Sequence, residues 1–517
     1  MVIRFFFILL LATACCNEKE QVEVVKVCGG LVSGKYLPDT EVFAYKGIPF
    51  AKPPVGDLRW KAPQPVDSWD GVRDCTAFSA SAMQFTPQPF LMWTQEFIAP
   101  AEPLSEDCLY LNVWTAAKKE EKQPVIVFIH GGGFSSGSGS VPIYDGANMA
   151  AKGAVFVTIN YRVGIFGFFA HPELSKEAAS GTSGNYGLLD QIAALKWVRD
   201  NIGEFGGDPD NVTIAGQSAG AFSVNYLVAS PLAKGLFHRA IAESGGAVMS
   251  TNRLSMGNTL VIAESVNQEL GEHLEITSIA DFRAMPADSL LKLGSMSIPV
   301  VDGYVLPKDV HSIFTNGEQN DVPVLLGWNA NEGNFGGPLK SAADFKNECE
   351  QKYGERASEF LEVFPAQNDS IAQASQIMLS GLQTFGIQAY KWAELQNQKE
   401  SSPAFVYFFN RSVPYGEGQQ DFGAFHTSEV SYAYCNLDKS SIRPWTQTDY
   451  QLEKIMSSYW INFARNGNPN RDQLPIWKPY TKEMHQAMIL GEKTEMKELP
   501  HLDELNLIES IFKNIKD

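Results

Sequence analysis

Val212-Thr213-Ile214-Ala215-Gly216-Gln217-Ser218-Ala219-Gly220-Ala221-Phe222-Ser223-Val224-Asn225-Tyr226-Leu227-Val228 is the stretch that decides the fold. It begins as an apolar, β-branched run, passes through G-x-S-x-G, and continues as a helix-like segment. The pattern predicts a strand that turns sharply into a helix with a serine at the turn. Such a turn holds the serine in strained backbone and pushes its hydroxyl out of the fold. Its flanking residues are small because strand and helix approach too closely for a Cβ. In a chain with 43 glycines the five-residue pattern alone is weak. The strand before it, the helix after it and His130-Gly131-Gly132-Gly133-Phe134 upstream turn the pattern into a candidate site.

On either side, strand-like runs alternate with helical patterns. Val125-Ile126-Val127-Phe128-Ile129 ends at the glycine run, and Ala154-Val155-Phe156-Val157-Thr158-Ile159 ends at Asn160-Tyr161-Arg162. Residues 189–198 carry apolar groups at helical spacing, and Arg239-Ala240-Ile241-Ala242 follows the serine segment. Val322-Pro323-Val324-Leu325-Leu326 and Ala404-Phe405-Val406-Tyr407-Phe408-Phe409 are later strands, with helix-rich insertions near 255–295 and 340–400. β-rich runs separated by helices imply an α/β fold with a parallel or mixed sheet covered on both faces. No repeat, low-complexity tract or linker divides the 517 residues, so residues 23–517 are expected to form one elaborated domain.

A serine hydroxyl needs a base, and the base needs an orienting carboxylate. On this kind of turn the chain order is Ser, then Asp or Glu, then His. Of the histidines after the last core strands, His485 and His501 lie in polar C-terminal sequence. His426 lies in a glycine-containing loop after the strand that ends at Phe409, where such a sheet carries its chemistry. His426 is the expected base. Glu332, in Leu325-Leu326-Gly327-Trp328-Asn329-Ala330-Asn331-Glu332-Gly333, follows a strand, whereas its rival Asp302 precedes one and reads as a turn residue. Glu332 is the expected carboxylate. The amide of Ala219 and those of the 131–133 loop are the expected oxyanion donors.

Net charge is −18, with no basic run, which argues against nucleic acid and against charge-driven binding to anionic membranes. No Cys/His cluster has zinc spacing, and neither metal nor cofactor is expected. The seven cysteines show no dense disulfide framework, and Cys75 with Cys108 is the one pair worth testing. Residues 1–14, with Arg4 before a short apolar run, read as an export signal. Ala12-Thr13-Ala14-Cys15 satisfies ordinary signal cleavage and also resembles a bacterial lipobox, the preferred reading, which would make Cys15 the lipidated N-terminus and 15–22 a polar tether. The expected location is then the periplasm or cell envelope, or the medium if the lipid is absent. Any membrane contact is through that anchor.

Together these residues resemble the type-B carboxylesterase family, which includes cholinesterases, bacterial para-nitrobenzyl esterases and several lipases. The resemblance runs from about 23 to 480. It rests on Tyr45-Lys46-Gly47-Ile48-Pro49-Phe50-Ala51-Lys52-Pro53-Pro54-Val55-Gly56, Ser105-Glu106-Asp107-Cys108-Leu109-Tyr110-Leu111-Asn112, Asn160-Tyr161-Arg162-Val163-Gly164, Glu204-Phe205-Gly206-Gly207-Asp208-Pro209 and Tyr459-Trp460-Ile461-Asn462-Phe463-Ala464-Arg465. It implies an α/β-hydrolase fold, a triad of Ser218, Glu332 and His426, and an oxyanion hole of Gly132, Gly133 and Ala219. It also implies scaffold ion pairs of Arg59 with Glu106 and Arg162 with Asp190. Ile98 stands where cholinesterases carry their choline-binding tryptophan, and Gln217 replaces the glutamate before the serine. Met83 stands where many relatives have the cysteine that pairs with the Ser-Glu-Asp-Cys motif. Phe335, Phe134 and Trp93 are the pocket candidates.

The expected function is hydrolysis of short to medium or aromatic carboxylic esters through an acyl-enzyme. A lipase or thioesterase on longer chains is the alternative, with residues 83–103 as a lid or, more simply, a pocket wall. A non-catalytic adhesion protein of neuroligin type is the remaining class, disfavoured by the complete triad.

Overall fold

The computed structural model of the chain describes residues 22–250, 258–276, 278–399, 402–416, 418 and 420–513. Cys15 and the residues expected to form an export signal lie outside them.

The strands are β1 (Val22–Val27), β2 (Gly30–Leu37), β3 (Val42–Pro49), β4 (Val72–Asp74), β5 (Ser81–Ala82), β6 (Leu104–Ser105), β7 (Tyr110–Thr115) and β8 (Gln123–Ile129). They continue as β9 (Val155–Ile159), β10 (Gly207–Gln217), β11 (Arg239–Glu243), β12 (Val324–Asn329), β13 (Ala404–Phe409), β14 (Gln486–Leu490) and β15 (Glu495–Glu498). One sheet runs β1-β2-β3-β7-β9-β8-β10-β11-β12-β13-β14-β15, with β4 added to β2. From β9 to β14 every pairing is parallel, the strands beyond on that path pair antiparallel, and the added β4 pairs parallel with β2. This large, mostly parallel sheet with flanking helices is the expected α/β-hydrolase architecture.

Alternation along each central strand makes two cores. Val125, Val127 and Ile129 of β8 and Val324, Leu326 and Trp328 of β12 pack on one face. Ile126, Phe128 and Leu325, from the same strands, pack on the other. Side chains alternate across a strand, so a strand buried on both sides must be apolar throughout. Helix Ala219–Ala229 covers the first face with Ala221, Phe222 and Val224. Helix Gln447–Asn466 covers the second with Leu452, Met456 and Trp460. The expected insertions are helical, including Leu260–His273, Ala342–Tyr353 and Asp369–Gly381.

The chain leaves β8, forms β9 on one side of it and returns to form β10 on the other. This reversal opens a crevice beyond the carboxyl ends of β8 and β10, where open α/β sheets bind ligands. The glycine loop and Ser218 follow those two strands.

Both expected ion pairs form and tie the scaffold. Arg59 grips Glu106 with Nε–Oε2 2.6 Å and Nη2–Oε1 2.5 Å, and its other nitrogen donates to the carbonyls of Arg283 and Met285 at 2.8 Å each. Arg162 grips the fully buried Asp190 at 2.8 and 2.7 Å, and its amide donates to the same carboxylate. Cys75 and Cys108 are both buried free thiols, so the pairing held open for them does not form. Outside the main sheet, β5 and β6 pair with each other in parallel and pinch together the two ends of the 83–103 loop.

Candidate active site

Ser218 has φ 58° and ψ −127°, a conformation that non-glycine residues rarely adopt. Its amide donates to the Glu243 carbonyl (2.9 Å), which anchors the turn on β11. A Cβ at Gly220 would lie 2.0 Å from the Ile129 carbonyl oxygen, which is why the helix can start this close to β8 only with glycine there.

Glu332 follows β12 by three residues, and His426 lies in the long segment after β13. Asn331 joins them: its amide donates to the Ala424 carbonyl (3.0 Å), and its side chain accepts from the Ala424 amide (2.9 Å). Asn329 Nδ2 donates to the Phe425 carbonyl (2.9 Å). With the loop fixed, His426 Nδ1 donates to Glu332 Oε1 at 3.0 Å, both side chains buried. Glu332 only accepts, so the His426 proton sits on Nδ1 and Nε2 is the acceptor. Gln217 Nε2 lies 3.2 Å from that Nε2, while Gln217 Oε1 accepts from Thr427 Oγ1 (3.2 Å). Aromatic rings hold the imidazole. Phe385 stacks on it at 4.4 Å and 17°, and Phe335 and Trp93 meet it edge-on at 5.7 and 6.3 Å. Phe385 is carried by a π-helical turn, Leu382–Gly386, of the kind that recurs at functional sites.

Ser218 and His426 face one cavity of about 610 Å³, within the usual range for small-molecule sites. Gly132, Gly133, Trp93, Phe335, Phe385 and Ile98 are among its lining residues. Trp93, five residues before the position at which cholinesterases carry their tryptophan, therefore reaches the cavity all the same. Its indole N–H donates to the His426 carbonyl at 3.2 Å. Phe134 is a correction. It is fully buried and packs edge-on against Phe168 (5.3 Å), because at φ 61° its side chain turns into the core beneath the glycine loop. The 83–103 loop divides: Trp93 and Phe97 are buried cavity wall and Met92 is core, whereas Phe85, Phe90 and Leu91 are exposed.

The rejected candidates have other partners. Asp302 accepts from the amides of Tyr304 (3.0 Å) and Leu306 (2.9 Å), a turn as expected. His485 bonds the Tyr480 hydroxyl and His501 bonds Glu504.

Two further carboxyls lie behind Glu332. Glu243 accepts from Trp460 Nε1 (2.8 Å) and Tyr434 Oη (3.2 Å), and burial pushes it up to about 8. Glu429 accepts from Asn329 and is driven well above the usual carboxyl range by burial and by the neighbouring acids. Sequence reading missed both, as well as Phe385, Gln84 and the imidazole contact of Gln217. Their partners lie far away along the chain, and no local pattern marks them.

The carboxylesterase family pattern matches residues 21–508. The chain is 37% identical to the fumonisin B1 esterase of Sphingopyxis macrogoltabida over 469 residues, 88% of this chain and 84% of that protein. It is 35% identical to the para-nitrobenzyl esterase of Bacillus subtilis (strain 168) over 489 residues, covering 90% and 95% of the two. Human cocaine esterase is 33% identical over 491 residues, with 89% and 85% covered. The chain belongs to the carboxylesterase family of carboxylic-ester hydrolases, built on the α/β-hydrolase fold.

Proposed function

We propose that the chain hydrolyses esters through an acyl-enzyme on Ser218, with His426 as base and Glu332 as its orienting carboxylate. The observation that carries this is the 3.0 Å bond from His426 Nδ1 to Glu332 beside a serine held at positive φ on the same cavity. Ser218 Oγ attacks the ester carbonyl while its proton passes to His426 Nε2, and Glu332 stabilises the resulting imidazolium. Collapse of the tetrahedral adduct expels the alcohol, which takes that proton. Water then gives a proton to Nε2 and attacks the acyl-serine, releasing the acid and restoring Ser218 Oγ–H.

The oxyanion is received by the amides of Gly132, Gly133 and Ala219. Ala219 opens its helix, where amides lack an internal acceptor. In a trans peptide, N–H and the preceding C=O point in opposite directions. The Gly131 carbonyl accepts from His130 Nδ1 (2.8 Å), and the Gly132 carbonyl accepts from the amides of Ser135 and Ser136 (3.0 Å each). The amides of Gly132 and Gly133 are thereby turned the other way.

The aromatic lining supports short to medium or aromatic esters. The exposed Phe85, Phe90 and Leu91 favour the lipase as second reading. Hydrolysis of para-nitrophenyl acetate, butyrate, octanoate and palmitate, beside Ser218→Ala, separates them. We expect turnover that falls with chain length and drops by roughly 10⁴-fold or more in the variant. Preference for palmitate would select the lipase, and equal turnover by Ser218→Ala would remove the nucleophile assignment.

A further inference from the structure

We propose that Gln84 is a positioning residue, which braces the 131–137 loop and thereby aims the amides of Gly132 and Gly133 at the oxyanion; this rests on the acyl-enzyme reading above. Gln84 comes from the 83–103 loop and is buried against the glycine loop at the cavity wall. Its side-chain amide treats one residue as a strand treats its neighbour. Nε2 donates to the Gly137 carbonyl (2.9 Å), and Oε1 accepts from the Gly137 amide (2.9 Å). The second Nε2 proton goes to the Ala82 carbonyl (2.9 Å), so Gln84 is itself tied back to β5.

Gly137 is the point at which force reaches the site. At φ 110°, a Cβ there would lie 2.3 Å from the Gly131 carbonyl oxygen and 2.3 Å from His130 Nδ1. Its backbone thus rests directly on the pair whose bond turns the Gly132 amide. His130 is held from its other side by stacking on Tyr161 at 4.3 Å, and Tyr161 Oη donates to the His130 carbonyl (2.9 Å). Removal of the Gln84 amide frees Gly137 to move away and takes the partner from both of its half-buried backbone polar groups. The oxyanion donors then lose the fixed direction that gives them their effect on the transition state.

The test compares Gln84→Met and Gln84→Glu with the parent chain on para-nitrophenyl butyrate. Functional sites are counted by stoichiometric titration with a fluorophosphonate. A trifluoromethyl ketone, whose serine adduct carries the oxyanion, serves as the inhibitor. The glutamate keeps the acceptor for the Gly137 amide but not the donor for its carbonyl, and it carries the test if the methionine variant fails to fold. We expect kcat per titrated site to fall roughly 10- to 100-fold with KM within about twofold, and the inhibition constant of the ketone to rise by the same factor. Unchanged kcat per site, or lost kcat with unchanged ketone affinity, would overturn the proposal. If Ser218→Ala retained activity, the underlying reading would fail instead.

Discussion

Glu332 is buried with one oxygen on His426, and its other oxygen has no partner among the described residues. Its charge is balanced only when the imidazole is protonated, which places its effect in the transition state rather than in the resting enzyme. Glu332→Gln keeps the shape but offers an N–H where His426 needs an acceptor, and so favours the wrong tautomer. We expect kcat to fall by about 10⁴-fold with the melting temperature preserved, read by steady-state kinetics and calorimetry. The meeting of Ser218 and His426 on one cavity, with Glu332 bonded to His426, was legible in the sequence because a turn motif, a chain-order rule and loop position constrain the three residues together. Phe134 was not, since its number in the chain gives backbone neighbourhood and not the direction of its ring. Phe385 was not either, because a π-turn inside a long helical insertion leaves no periodic signature.

The elbow between β10 and its helix works only because β8 is its neighbour. With Gly220 set 2.0 Å, at a built Cβ, from the Ile129 carbonyl, Gly220→Ala must separate helix from sheet. We expect a loss of about 3 kcal/mol or more in denaturant unfolding, or no soluble protein. The π-helical turn serves both packing and site. Phe385→Ala removes a buried ring stacked on His426, so kcat/KM should fall roughly 2- to 10-fold and unfolding should cost about 3 kcal/mol less. The central strands β8 to β13 were legible to within a few residues, because two-faced burial demands unbroken apolar runs, whereas the strands at the two ends of the sheet were not read as strands. β10 was the exception. It begins at Gly207, ahead of the apolar run that starts at Val212, where a register shift against β8 extends the pairing through polar residues.

Two buried groups set opposing slopes in the stability of the fold. Burial raises Glu243 from an ordinary 4.5 to about 8, so the folded chain keeps a proton that the unfolded chain has released. Stability from this group is complete below 4.5 and is lost as pH rises through 8. Burial lowers His130 from 6.5 to about 4, so its contribution is complete above 6.5 and is lost as pH falls through 4. Between 4.5 and 6.5 the slopes oppose, and from 6.5 to 8 the decline belongs to Glu243 together with Glu429, whose carboxyl burial also raises. Over that upper window the melting temperature should fall in the parent chain and fall less steeply in Glu243→Gln, where Glu429 alone remains. An equal decline in both would show that Glu243 is not the cause. The pinched base of the 83–103 loop has a different consequence, one of inheritance. A segment that enters and leaves by a single two-residue clasp can be exchanged as a cassette without rethreading any strand. A lineage could thus alter what its enzyme eats while keeping how it digests. Transplanting residues 85–103 from a relative should shift the preferred chain length and leave the acetate rate within about tenfold.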